Sequence, residues 1–169
     1  MTVQWLSLLF CRELDDLVKE LDLFPDESQI WATVPGVSNS VGTITLHLCG
    51  NLQHFIGARL GGSGYVRNRE HEFAARGVSR ADLTGEILRA REAVASTLST
   101  LPESRLAEVC VFVPNGMRLP TGLFLLHLAT HLSYHLGQAG YLRRVLTGET
   151  ASTGAVGFAG LTPAVIPES

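Results

Sequence analysis

Apolar side chains recur at spacings of three and four in four separate stretches of the chain, the period of helices that bury one face. In the first stretch Leu6, Leu9, Phe10, Leu14, Leu17, Val18 and Leu21 share a face, with Asp15, Asp16, Lys19 and Glu20 between them. This helix is expected to stop before Phe24-Pro25, because proline moves the residue ahead of it out of helical geometry. Pro25 to Asn39, with Pro35, Gly36, Ser38 and Asn39, reads as a connecting loop whose Trp31 packs onto the helices. A second helix is expected from near Ser40 to about Leu60. Its inward residues are Ile44, His47, Leu48, Asn51, His54, Phe55 and Ala58, and Gly61-Gly62 supplies a left-handed stop.

Ser63 to Val78 reads as a polar loop dense in charge, with Arg67, Arg69, Glu70, His71, Glu72 and Arg76. The third helix opens at Ser79-Arg80-Ala81-Asp82, where the serine hydroxyl can satisfy an orphan backbone N–H; glutamate is the more usual partner than Asp82. Leu83, Ile87, Leu88, Val94 and Leu98 carry its apolar stripe to about Thr100. Pro102, Pro114, Asn115-Gly116 and Pro120 punctuate the next twenty residues, within which Val109 to Val113 reads as a short extended segment. The fourth helix is expected from about Thr121 to Leu146, with Gly148 as its stop. Residues 149–169, rich in Thr, Ser, Gly, Ala and Pro, read as an extended tail. The pattern predicts an all-α fold, with residues 1–148 forming a bundle of four helices joined by long second and third connections.

Composition narrows what such a fold can do. A chain of 169 residues suits one domain. Its 17% charged share falls below the ordinary share of about 25%, which points to wide buried faces or to self-association. With 13 basic against 16 acidic residues and a net charge of −3, it lacks the basic footprint of a nucleic-acid binder. Cys11, Cys49 and Cys110 form no CxxC pair, and no leader-like segment opens the chain, so reduced thiols in the cytoplasm are expected. No run of about 18 apolar residues suggests a membrane span.

The chemistry-bearing residues are histidines. Five of six lie in two of the expected helices: His47 and His54 in the second, His127, His131 and His135 in the fourth. Residues four apart on a helix return to within about 40°, so His131 and His135 project from one face a turn apart. That spacing lets two imidazoles meet one zinc-like ion, and the facing second helix, with His47 and His54 two turns apart on one face, could supply a third imidazole and leave coordination positions open. A single histidine on an apolar helix is more often a hydrogen-bonded core residue. Three at i, i+4 and i+8 beside Leu123 to Leu128 have no obvious polar partner, and a shared metal removes that cost for several at once. No glutamate adjoins the pair to make HExxH, so a metalloprotease is excluded.

His47-Leu48-Cys49-Gly50-Asn51-Leu52, followed by His131-Leu132-Ser133-Tyr134-His135-Leu136-Gly137-Gln138, resembles the DinB superfamily of bacterial four-helix bundles, which includes the YfiT-like proteins. The resemblance spans roughly Leu6 to Gly148, including Tyr65 to Arg69 and the Phe73 to Ser79 approach to the third helix. It implies a metal triad of His47, His131 and His135, and zinc or nickel as the ion. It leaves His54 and His127 as residues behind the ligands or in packing. Asn51 and Gln138 either orient a ligand or bond a substrate, or serve packing and capping. Arg67 and Arg69 either gather an anionic substrate over the site or belong to a solvated loop. Cys49, some 200° round the helix from His47, should face away as a buried inert thiol.

Three roles are open, the first implied by the resemblance. The first is thiol transfer with a low-molecular-weight bacterial thiol, because an ion with an open position can lower a thiol's pKa and present it as a nucleophile. The second is metal-dependent hydrolysis at the same triad. The third is a non-catalytic, stress-related bundle. Family members commonly pair, and together with the low charge this implies a homodimer acting on a small molecule, without nucleic acid or membrane.

Overall fold

A computed structural model describes residues 2–158 and 160–161, and it is mostly helical. Four long helices form: α1 (Val3–Asp22), α2 (Val41–Leu52), α4 (Arg80–Thr100) and α5 (Thr121–Thr147), with the short α3 (Arg69–Ala74) between α2 and α4. Both α1 and α2 pack against α4 and α5, so the long helices ring one core with α1 and α2 on opposite corners. Phe10, Leu14, Leu17, Leu48, Leu52, Ile56, Ile87, Val94, Leu125 and Leu132 fill the centre. No helix among the described residues is long and apolar enough to cross a membrane.

The helix ends follow local chemistry. Ser40 Oγ accepts from the Thr43 N–H at 3.1 Å and opens α2. Ser79 Oγ accepts from the Asp82 N–H at 3.1 Å and opens α4. Asp82 does not return the bond to the backbone as a longer glutamate would; its carboxylate accepts from the Ser79 hydroxyl at 2.6 Å. Gly148, at φ 72°, closes α5 in the left-handed conformation that glycine adopts without a Cβ clash.

Three expectations are amended. The second helix does not stay α-helical to Leu60: Gln53–Leu60 winds more widely, as a π-helix, and Gly61 donates to the Ile56 carbonyl at 2.9 Å. Of the Gly61-Gly62 pair, only Gly62 is left-handed. On α4, Leu88 is 53% exposed and Ala90 takes the inward place, so the stripe reads Leu83, Ile87, Ala90, Val94, Leu98. The charged stretch after Gly62 is not wholly loop, because Asn68 Oδ1 caps α3 by accepting from the His71 N–H at 3.0 Å.

The connections are held down by side chains. Trp31 ends a short 3₁₀ turn (Glu27–Trp31), lies against Gly42, and donates its indole N–H to the Val78 carbonyl at 3.0 Å. In the extended segment near Val109, only β1 (Val109–Cys110) pairs, antiparallel to β2 (Leu119–Pro120). The described part of the tail folds back: Thr153 Oγ1 reaches Glu20 Oε1 at 3.2 Å, and Arg12 Nη1 donates to the Gly157 carbonyl at 3.2 Å. The rest of the predicted tail, 159 and 162–169, lies outside the described residues.

Candidate metal centre

Every residue of α2 except His47 is buried, so the helix runs through the interior and opens outward at one imidazole. Opposite it, α5 presents His131 and His135 one turn apart, with ring centroids 4.6 Å from each other. The His47 ring lies 5.3 Å from His131 and 5.5 Å from His135. One nitrogen from each of the three lies within 4.8 Å of the others.

This donor set fits a divalent ion of zinc type. Metal–nitrogen bonds of about 2.0–2.1 Å place tetrahedral ligands roughly 3.4 Å apart, so the rings need to close by an ångström or so, within reach of side-chain rotation. Three half-buried imidazole nitrogens without a carboxylate among them match the His₃ pattern that leaves a coordination position free.

Each of two imidazoles is oriented from behind. His47 Nδ1 lies 3.1 Å from Glu72 Oε2, so an Nδ1–H donated there leaves the Nε2 lone pair free. Glu72 is itself clamped by Arg67, whose Nε and Nη2 donate to the two carboxylate oxygens at 2.6 and 2.8 Å. Burial alone would raise the Glu72 carboxyl, but the hydrogen bonds from Arg67 and His47 outweigh it and hold the group below the usual carboxylate range. On α5, His135 Nδ1 pairs with Gln138 Oε1 at 2.7 Å, which fixes the same tautomer.

Burial lowers the His131 pKa to about 4, helped by the positive charge that His135, His47, His127 and Arg67 would place beside it. His135 is also lowered, by burial first, with the Gln138 bond opposing and His47 adding to the shift. The α5 pair therefore stays neutral at neutral pH, the form in which imidazole binds a metal.

The other sequence candidates are placed as follows. Gln138 sits on His135. Asn51 is buried one turn after His47, and its Oδ1 finds no hydrogen-bond partner among the described residues. His54 packs its ring on Phe55 at 4.8 Å, and its Nδ1 is likewise unpartnered among them. Neither joins the three-nitrogen set. His127 is exposed, its ring stacked 6.3 Å from that of His131, so the burial argument made for three histidines on α5 applies to two. Arg67 is engaged by the internal carboxylate of Glu72, whereas exposed Arg69 lies over the Phe73 ring at 4.9 Å. Cys49 is fully buried on the α4 side, near Glu86 and Arg89, and burial pushes its thiol far up.

Sequence reasoning missed Glu72 and Gly50, which act together. A Cβ at Gly50 would collide with the Glu72 carboxylate, so the glycine is the notch through which α3 inserts this side chain beside His47. Gly50 stands three residues after His47 on the same helix, and a glycine inside a helix that close to a candidate ligand was the available signal.

Neither the curated proteins nor the solved structures include a match to this chain. One family does match, over residues 10–156, a span that takes in all three histidines, Glu72 and Arg67, and on that match the chain belongs to the family described as Protein of unknown function (DUF1572).

Proposed function

We propose that this protein is a four-helix bundle of the DinB type that holds one divalent ion, zinc or nickel, on His47, His131 and His135, and uses it as a thiol-dependent S-transferase. The observation that carries this reading is the convergence of three imidazole nitrogens within 4.8 Å, with the Glu72–Arg67 pair behind one of them and Gln138 behind another. Ligand sites are distinguished from incidental histidine clusters by such supporting hydrogen bonds.

An ion held there would supply Lewis acidity, lowering the pKa of a low-molecular-weight thiol toward neutrality. The chain's own part is positional. Glu72 holds the His47 ring, and Gln138 holds that of His135. Thr43, Phe73 and Asn39 wall a cleft of about 160 Å³ against His47 and His135, through which a small reactant reaches the histidines.

Tag-free protein is expected to carry about one zinc or nickel per chain by plasma mass spectrometry, and the His131→Ala/His135→Ala variant none. A metal-free parent that stays empty after reconstitution overturns the reading. With metal present, conjugation of an electrophile should require added bacillithiol, mycothiol or glutathione. Ester turnover without thiol would make the site a hydrolase instead.

We also propose a homodimer. Leu9, Leu126, Ala129 and Tyr134 line an apolar groove between α1 and α5, with Trp5 and Leu123 exposed on the same two helices, and a second copy would cover them. Sedimentation at the mass of one chain would count against it.

A further inference from the structure

A second cleft lies beside the candidate metal centre, and its lining differs in kind. It occupies about 360 Å³ between the Val34–Asn39 loop and the C-terminal half of α5. Val34, Val37, Ile44, Tyr141, Leu142 and Val145 make its walls apolar, while Ser38, Asn39 and Gln138 are its polar lining. Asn39 and Ile44 also line the smaller cleft against His47 and His135, so the two spaces adjoin. Gln138 joins them a second way, lining the large cleft while its Oε1 pairs with His135 Nδ1 at 2.7 Å.

No side chain lining either cleft is a lysine, arginine, aspartate or glutamate. Of the nearby cations, Arg67 is paired with Glu72, while Arg144 lies over the Tyr141 ring and Arg69 over the Phe73 ring, each at 4.9 Å and outside the lining. A charged molecule seated in the large cleft would lose hydration with no charged side chain of its lining to replace it. The volume falls at the small end of the roughly 300–1,000 Å³ of ligand pockets, a size that suits a single aromatic ring or a short acyl chain.

From these observations we propose that the Val34–Val145 cleft seats the neutral, apolar co-substrate of the metal centre, with its polar end at Asn39 and Gln138 and directed toward His135. The role as co-substrate rests on the function proposed above; binding in the cleft does not. Specificity then resides in the wall residues: bulk at Val37, Tyr141 and Val145 sets the length admitted, and the uncharged lining excludes anions.

The test is a titration of the full-length protein, with and without zinc, using nitrobenzene as neutral probe and 4-nitrobenzoate as its anionic counterpart, followed by backbone amide shifts. Nitrobenzene should move the amides of Val37–Asn39 and Tyr141–Val145, and should bind about tenfold or more tightly than 4-nitrobenzoate. Val37→Asp, at a loop residue 42% exposed and outside the core, should weaken nitrobenzene by about tenfold or more. Leu88→Asp, on the exposed face of α4, should leave it unchanged. Nickel in place of zinc should broaden the probe's proton signals, and the His131→Ala/His135→Ala variant should abolish that broadening while cleft binding persists.

Equal affinity for the two probes, or indifference to Val37→Asp, overturns the proposal even if the metal is present. So does self-association through this face in place of probe binding. Probe binding in a protein that takes up no metal leaves the cleft standing and defeats the metal reading alone.

Discussion

Glu72 shows how much a single buried side chain controls. Its carboxylate faces His47 on one side and Arg67 on the other, so the ring's tautomer depends on a residue 25 positions away in sequence. Removing such a support from behind a metal ligand typically costs about 10–100-fold in affinity. Glu72→Gln, which keeps the shape and loses the charge, should therefore weaken zinc binding by about that factor in a chelator competition titration, without unfolding the protein. An unchanged affinity would show that His47 orients itself. The lowered histidines predict a pH effect in the metal-free protein. Unfolded, His131 and His135 take up protons near pH 6.5; folded, His131 does so only at about 4. Between those values the unfolded state binds more protons, so stability falls as pH falls. Urea unfolding between about pH 7 and 5 should show this slope. His131→Asn should flatten it, and an identical slope in the variant would refute the assignment.

Among the elements, α2 departs furthest from an ordinary amphipathic helix. It is buried nearly all round, and its glycines mark where neighbours press against it: Trp31 at Gly42, Glu72 at Gly50. This reverses a familiar rule. Glycine to alanine inside a helix ordinarily gains up to about 1 kcal/mol. Gly137 on α5, with nothing near its would-be Cβ, should follow the rule. Gly50→Ala should do the opposite, losing about 1–3 kcal/mol through overpacking and weakening metal binding as Glu72 is displaced. Thermal unfolding of the two variants gives shifts of opposite sign if the notch is as described. A rise in Tm for both would mean that α3 is not seated by Gly50.

At the level of the whole molecule, the first and last helices are joined by a buried ion pair. Arg143 on α5 is 0% exposed; its Nε donates to Glu20 Oε2 of α1 at 2.6 Å, and its Nη2 to the Ala151 carbonyl of the tail. Gly140 leaves room for the Glu20 carboxylate. Breaking a buried pair strands a charge and costs about 3–5 kcal/mol, whereas replacing both partners by apolar residues can be near neutral. Glu20→Ala alone should lower stability by about that amount in denaturant unfolding, and Glu20→Leu/Arg143→Met by much less. Additive losses would indicate that the two residues contribute separately.

The four long helices, the caps at Ser79 and Gly148 and the His131–His135 pair were legible in the amino-acid sequence because each depends on neighbours three or four positions away, and local geometry is the same wherever the helix is later placed. His47 was legible through the His-Leu-x-Gly-Asn pattern rather than through periodicity. Tertiary structure decided the rest. Leu88 and Ala90 exchange roles because only the packing of α4 sets which arc of the helix faces inward. Glu13, Asp16 and Glu20 are buried although charged, because their cations Arg12, Lys19 and Arg143 are packed against them. Glu72 and Arg67 looked like solvent-facing loop charge until α3 carried the carboxylate into the notch at Gly50. Contacts across 25 or 123 positions have no period to betray them; they exist only once the helices have met.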